Sequence, residues 1–168
     1  MKIIFLDCDG VINSDLWFRK PYKRNFDDDP DIDPRCINLV NDLCNASGAK
    51  IVISSDWRYD MWCIKRLEKA GLKNIIDKTP IFDVDWYLVP VAPTRGDEIN
   101  YWLETHPEVT QYCIIDDTNE FYGEQKTHFE KINPYHGFTT ENLQNCLKLL
   151  SDDRRETSER ECSNPKQE

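Results

Sequence analysis

The chain has 168 residues, enough for one domain with a substantial core, and combines 39% hydrophobic residues with a net charge of −10. That balance excludes an extended nucleic-acid surface, because phosphate contacts need clustered Lys and Arg, but leaves room for a local site gripping one phosphate or one strand end. Seven cysteines (Cys8, Cys36, Cys44, Cys63, Cys113, Cys146, Cys162), an odd number with no C-x-x-C pair, argue against a disulfide framework or a zinc site and for a reducing cytosol.

Lys2-Ile3-Ile4-Phe5-Leu6 reads as a buried parallel strand, and it ends abruptly in Asp7-Cys8-Asp9-Gly10. Asp7 stops the apolar run well short of a signal peptide, and no segment reaches membrane-spanning length. A cytoplasmic protein with no membrane partner is the expectation. Ligands in open α/β sheets sit at the carboxyl ends of strands, and residues i and i+2 of an extended segment point the same way. Asp7 and Asp9 can therefore face one point, where a cation or a shared proton must relieve their repulsion. Asp and Gly also form ordinary turns after strands.

Asn13 to Asp31 reads as an irregular flap. It mixes aromatics (Trp17, Phe18, Tyr22, Phe26) with bases (Arg19, Lys20, Lys23, Arg24) and an acidic run (Asp27, Asp28, Asp29, Asp31). The aromatic and basic cluster suits either stacking on a nucleotide-like substrate or simple packing on the domain. The acidic run lacks the pattern of a calcium loop and reads as a solvated turn.

Asp33-Pro34 announces a helix with Ile37, Val40, Leu43 and Cys44 on its apolar face and Gly48 at its end. Lys50-Ile51-Val52-Ile53 is a short strand ending in Ser54-Ser55-Asp56-Trp57-Arg58. A second helix is expected with Met61, Ile64 and Leu67 on one face and Gly71 beyond it. Thr79 to Val91 reads as strands or an ordered loop. Thr94-Arg95-Gly96-Asp97 resembles a capping box opening a helix with Ile99, Trp102 and Leu103 inward. Gln111 to Ile115 is a strand ending in Asp116-Asp117, and Thr127 to Ile132 holds a weaker one. Thr139 or Thr140 caps a final helix carrying Leu143, Cys146, Leu147 and Leu150. Residues 151–168 have no aliphatic or aromatic side chain and are more than half charged, which reads as a disordered tail after a single domain spanning 1–150. Alternating strands and helices imply an α/β, Rossmann-like three-layer sandwich with a mostly parallel central sheet.

Parallel strands bring their carboxyl ends to one edge, so Asp7/Asp9, Ser54/Ser55 and Asp116/Asp117 converge. Oxygen-only donors favour a hard cation, and Mg²⁺ suits a site that also holds phosphate. The Ser54-Ser55 hydroxyls and N–H groups suit phosphoryl oxygens, and Arg95 at a helix start adds positive charge.

This order of motifs, Asp-x-Asp-Gly-Val, strand-Ser, a basic residue at a helix start, and strand-Asp-Asp, resembles the haloacid dehalogenase (HAD) superfamily of phosphohydrolases over residues 2–150. The resemblance implies that Asp7 is the nucleophile forming an aspartyl-phosphate and that Asp9 protonates the leaving group and then activates water. To do so Asp9 must hold a proton near neutral pH, which a crowd of acids would favour. Ser54 would hydrogen-bond the phosphoryl group with Ser55 offering its N–H, although Ser55 can exchange that role with Ser54. Gly10 counts with the substrate-contacting residues. Arg95 stands where the family more often has Lys, with Lys78 an alternative. Asp116 and Asp117 would bind Mg²⁺ with Asp7 and the main-chain carbonyl of Asp9, Asp117 being the closer ligand and Glu120 a supporting acid.

The chain is too short for a large cap, so an open site with a minimal cap is implied. Ser-Ser-x-Trp-Arg, the segment Arg95 to Leu103 and Gly137-Phe138-Thr139 are similar to HAD domains of nucleic-acid end repair. The implied activity is a Mg²⁺-dependent phosphatase acting on a phosphorylated small molecule, a nucleotide or a nucleic-acid end. A phosphotransferase or mutase using the same intermediate, and an inactive binding module, are the alternatives; the oligomeric state is open.

Overall fold

Lys2–Leu6 forms the central strand, β1, in which Ile3, Ile4, Phe5 and Leu6 are fully buried. A strand covered on both faces has no solvent side, so residues of both parities are apolar here. A computed structural model of the protein describes residues 1–19, 29–82 and 92–151. The middle of the flap, most of the Thr79–Val91 segment and the expected tail beyond residue 151 lie outside the described residues.

The chain continues through a four-residue helix, α1 (Asp15–Phe18), to α2 (Pro34–Ser47), β2 (Lys50–Ile53), a 3-10 turn (Asp56–Tyr59), α3 (Cys63–Lys69) and β3 (Ile75–Lys78). Then come α4 (Arg95–Glu104), β4 (Gln111–Asp116), a second 3-10 turn (Gly123–His128), β5 (Phe129–Lys131) and α5 (Thr140–Leu149). The strands lie in the order β3-β2-β1-β4-β5 and every pairing is parallel. The architecture is an α/β, Rossmann-like sandwich.

Strand alternation divides the core between the two faces. Ile4, Leu6, Ile51, Ile53, Cys113 and Ile115 pack with α2, α3 and α5 through Ile37, Val40, Leu43, Leu67 and Cys146. Ile3, Phe5, Val52 and Ile114 meet Ile99 and Trp102 of α4 on the other face. There the Phe5 and Trp102 rings meet edge to face at 5.4 Å. The six described cysteines are buried, as small hydrophobes.

The helix ends follow their expected chemistry. Asp33 caps α2 with Pro34 at its first position, and Gly48 ends it at φ +73°. Thr94 and Asp97 form a reciprocal capping box on α4, and Thr139, not Thr140, caps α5.

Three local expectations need correction. β3 was not anticipated, because an edge strand exposed in part carries only Ile75 and Ile76 as apolar residues and shows no continuous run. The helix after Arg58 starts at Cys63 and buries Cys63 and Leu67, while Met61 is 77% exposed and lies before it. The acidic turn is not merely solvated. Arg66 of α3 donates through Nε to Asp29 Oδ2 at 2.6 Å and through Nη2 to Asp29 Oδ1 at 2.9 Å and Asp31 Oδ2 at 2.8 Å. On the flap's N-terminal side Trp17 is buried, its Nε1 donating to the Pro30 carbonyl at 3.1 Å.

The guanidinium hydrogen bonds hold the Asp29 carboxyl below its usual range. A depressed carboxylate pKa contributes stability that is present above the unfolded value near 4 and lost as pH falls through the folded value. Arg66→Met should therefore lower stability at pH 7 by about 1 kcal/mol or less, since the pair is partly solvated. Urea midpoints of variant and parent should converge as the pH drops from 6 to 3. A gap independent of pH would show that the ion pair contributes nothing.

Among the described residues, no helix is long and apolar enough to cross a membrane.

Candidate active site

The β1–β4 register pairs Leu6 with Ile115, so the next residues, Asp7 and Asp116, emerge side by side at the carboxyl edge of the sheet. On the other flank Leu6 pairs with Ile53, and the Ser54 N–H donates to the Leu6 carbonyl at 3.0 Å. Three strands thus deliver their polar ends to one place.

Carboxylate oxygens of Asp7, Asp116 and Asp117 lie within 4.8 Å of one another, with Asp7 and Asp116 buried. Arg95, from the first turn of α4, reaches into the group. Its Nη1 stands 3.0 Å from Asp7 Oδ1 and 2.5 Å from Asp116 Oδ2, and its Nη2 is 3.5 Å from Asp56 Oδ1. The capping box sets the direction of that first turn. Lys78, the alternative cation, donates instead to the Arg58 carbonyl at 2.8 Å.

Burial dominates the electrostatics. It pushes the Asp7 carboxyl up to about 7; Arg95 opposes the shift, Asp116 adds to it, and a hydrogen bond from Ser55 lowers it. Burial also raises Asp117, with Asp116 contributing. For Arg95 burial works against the charge, yet Asp7 and Asp116 outweigh it and raise the guanidinium further. Cys8, between the two acids of the first motif, is fully buried, and desolvation followed by the Asp7 charge pushes its thiol up, so it is no nucleophile.

Both lone serines belong to the site. The Ser55 hydroxyl reaches Asp7 and also accepts from the Trp57 N–H at 3.3 Å. Ser54 is fully buried, and its Oγ has no hydrogen-bond partner among the described residues. A buried hydroxyl without a partner is costly unless a ligand completes it.

Asp9 stands apart from the three-carboxylate group. It is exposed, it lines a cleft with Asp15 and Asp117, and its hydrogen-bond partners are neutral donors: Trp57 Nε1 donates to Oδ2 at 2.9 Å and Asn13 Nδ2 to Oδ1 at 3.0 Å. Asn13 also accepts the Gly10 N–H at 2.7 Å, so one amide folds the Asp9–Gly10 turn and aims the carboxyl. Gly10 has φ +69°, and a Cβ there would fall on the Asp117 carboxylate. The position admits only glycine on both counts. Glu120, expected in support, is exposed and outside the cluster.

Sequence reading assigned no role to three contributors, two of which lie in the stretches that resemble end-repair domains. Asn13 and Trp57 position Asp9, and their signal was their place just after the first and second motifs. The third is a buried ion pair, Arg58 Nη2 to Glu98 Oε1 at 2.5 Å, which ties the serine segment to α4.

The donor set suits a hard divalent ion. Three carboxylates converge without nitrogen or sulfur donors, which favours Mg²⁺ or a similar cation over zinc or copper. Asp116 is already engaged, accepting from Arg95 and from the Thr118 N–H and hydroxyl, each of the latter at 2.7 Å. Asp7 takes Arg95 and Ser55, which leaves Asp117 with the freer oxygens of the three.

Compared with known proteins, residues 3–143 match a family model described as the HAD domain in Swiss Army Knife RNA repair proteins. No curated protein matches the chain.

Proposed function

Because the chain belongs to this family of HAD domains from RNA repair proteins, we propose that it is a Mg²⁺-dependent phosphomonoesterase that acts on a nucleotide or nucleic-acid terminal phosphate. The observation that carries this reading is the cluster of Asp7, Asp116 and Asp117 oxygens within 4.8 Å, with Arg95 at 3.0 Å from Asp7. The family supplies the phosphatase-related class.

Asp7, Asp116 and Asp117 would hold Mg²⁺ together with the Asp9 carbonyl. When bound, the ion supplies positive charge that lets an anionic carboxylate approach an anionic phosphate. An Asp7 oxygen attacks phosphorus, and the bond from phosphorus to the leaving oxygen breaks. Asp9 gives that oxygen its proton, forming an alcohol and an aspartyl-phosphate on Asp7. Asp9, now a carboxylate, takes a proton from water as the water attacks phosphorus; phosphate departs and Asp7 is restored. Trp57 and Asn13 keep Asp9 aimed while leaving a second lone pair on each oxygen for the proton. Arg95 and the Ser54 and Ser55 hydroxyls would neutralise and orient the equatorial oxygens.

Phosphate release from p-nitrophenyl phosphate and from 3′- or 5′-phosphorylated oligonucleotides tests the reading. Activity should vanish in EDTA and return with Mg²⁺. Turnover indifferent to chelation, or silence on every phosphate monoester, would sink it.

A further inference from the structure

The turn that follows the serine segment carries an apolar surface for which the chemistry above has no use. Tyr59, Met61 and Trp62 are 62%, 77% and 54% exposed. Single exposed apolar residues are ordinary, but three within four positions form a patch that asks for an occupant. Each ring packs on a cation, and of the two cations only Lys65 is exposed to a ligand, Arg58 being buried. The Arg58 guanidinium lies 5.1 Å from the Tyr59 centroid and Lys65 Nζ lies 4.6 Å from that of Trp62.

The surroundings favour a polyanion. Residues 57–78 hold six basic side chains against three acidic ones, and although Arg58 is paired with Glu98 and Asp56 and Arg66 with Asp29 and Asp31, Lys65, Lys69 and Lys73 add positive charge along and just beyond α3 in a chain at −10 overall. The turn is also wired to the reaction centre. Trp57 Nε1 donates to Asp9, the Arg66 guanidinium lies 4.2 Å over the Trp57 ring, and the Arg66 N–H donates to the Trp62 carbonyl at 2.9 Å. A cleft lined by Asp56, Trp57, Asp60, Cys63 and Arg66 follows the same turn.

Exposed rings beside cations bind single strands well: bases stack on the rings whatever their identity, and the cations meet the backbone. We propose that Tyr59, Met61 and Trp62, with Lys65, form a stacking platform for bases of a single-stranded nucleic acid whose terminal phosphate lies at Asp7. The proposal rests on the nucleic-acid-end reading above and adds that the enzyme prefers a strand to a mononucleotide. The platform grips the substrate through a few bases, which agrees with a protein whose net charge forbids long backbone contact.

The test compares the parent with Trp62→Ala and with the triple variant Tyr59→Ser/Met61→Ser/Trp62→Ser on p-nitrophenyl phosphate, nucleoside monophosphates and short single-stranded oligonucleotides bearing a terminal phosphate. KM for the oligonucleotide should rise roughly 10- to 100-fold in the triple variant and less in the single one, reflecting lost stacking. Both kcat and KM for the aryl phosphate should stay as in the parent, which also shows the variants fold. Binding of a labelled oligonucleotide to the Asp7→Asn protein, read by anisotropy, should weaken with the same variants.

An oligonucleotide KM unchanged by the triple variant would overturn the platform while leaving the phosphatase reading intact. So would sedimentation showing that the patch pairs two copies of the chain and that oligonucleotide turnover ignores its loss. A parent that hydrolyses aryl phosphate but no nucleotide or oligonucleotide would overturn the platform and the nucleic-acid-end substrate together, leaving only the phosphatase chemistry.

Discussion

Asp7→Asn should abolish Mg²⁺-dependent phosphate release, lowering kcat by more than ~10⁴-fold, yet the protein should melt at a higher temperature than its parent in EDTA. The first half follows from removing the carboxylate proposed to attack, since loss of a nucleophile removes nearly all the chemistry of such a site. The second half follows from burial. Desolvation holds the Asp7 carboxyl up at about 7 against the opposing pull of Arg95. A carboxyl whose folded pKa exceeds its unfolded value near 4 costs no stability below that value, and its cost grows until pH passes the folded value. The neutral amide avoids the cost. The gain in melting temperature should therefore be absent near pH 4 and reach its full size above pH 7, at roughly 2–4 °C per kcal/mol for a chain of this length. Scanning calorimetry in EDTA across that range decides it. A variant that melts lower than the parent at pH 8 would show that the Asp7–Arg95 contact outweighs burial.

The second large effect belongs to the buried ion pair. Arg58 and Glu98 side chains are only 2% and 8% exposed, and Arg58 Nη1 also donates to the Ser54 carbonyl at 3.1 Å. Burial pushes the Glu98 carboxyl up even though Arg58 pulls it down. Removing one partner leaves the other charged in a dry place, at a cost of about 3–5 kcal/mol. Glu98→Ala should lose that much in urea unfolding, and Arg58→Met/Glu98→Leu should recover a good part of it. Because the pair joins the serine segment to the helix bearing Arg95, the double variant should still show weakened turnover at restored stability. A Glu98→Ala midpoint within error of the parent would refute the argument.

The fold was legible where one physical cause acts alone. β1, β2 and β4 are buried on both faces and announce themselves as apolar runs, and α2, α4 and α5 carry explicit caps. β3 escaped notice because half-exposed edge residues need no continuous hydrophobicity. The convergence of Asp7, Asp116 and Asp117 could be reasoned from parallel strands ending together, which is a property of topology. The setting of Asp9 could not. An indole from 48 positions downstream and an amide four positions on face it, and neither type carries a charge pattern that sequence reading detects. The partnership of Arg58 with Glu98 was hidden for a related reason, since both lie in motif-bearing stretches but nothing in either stretch says that the two pair across the fold.

The place of β1 has a consequence for how the protein is made. Among the described strands the earliest in the sequence is the innermost one, and its neighbour β4 begins only at Gln111. At ~5–20 residues per second, the apolar Ile3–Leu6 stretch waits roughly 5–20 s for that partner. During synthesis β2 can shield one flank, but the flank that carries Asp7 towards Asp116 stays open until β4 has been translated. The nascent protein is therefore a natural client for holding chaperones, and expression at lower temperature should favour its soluble yield.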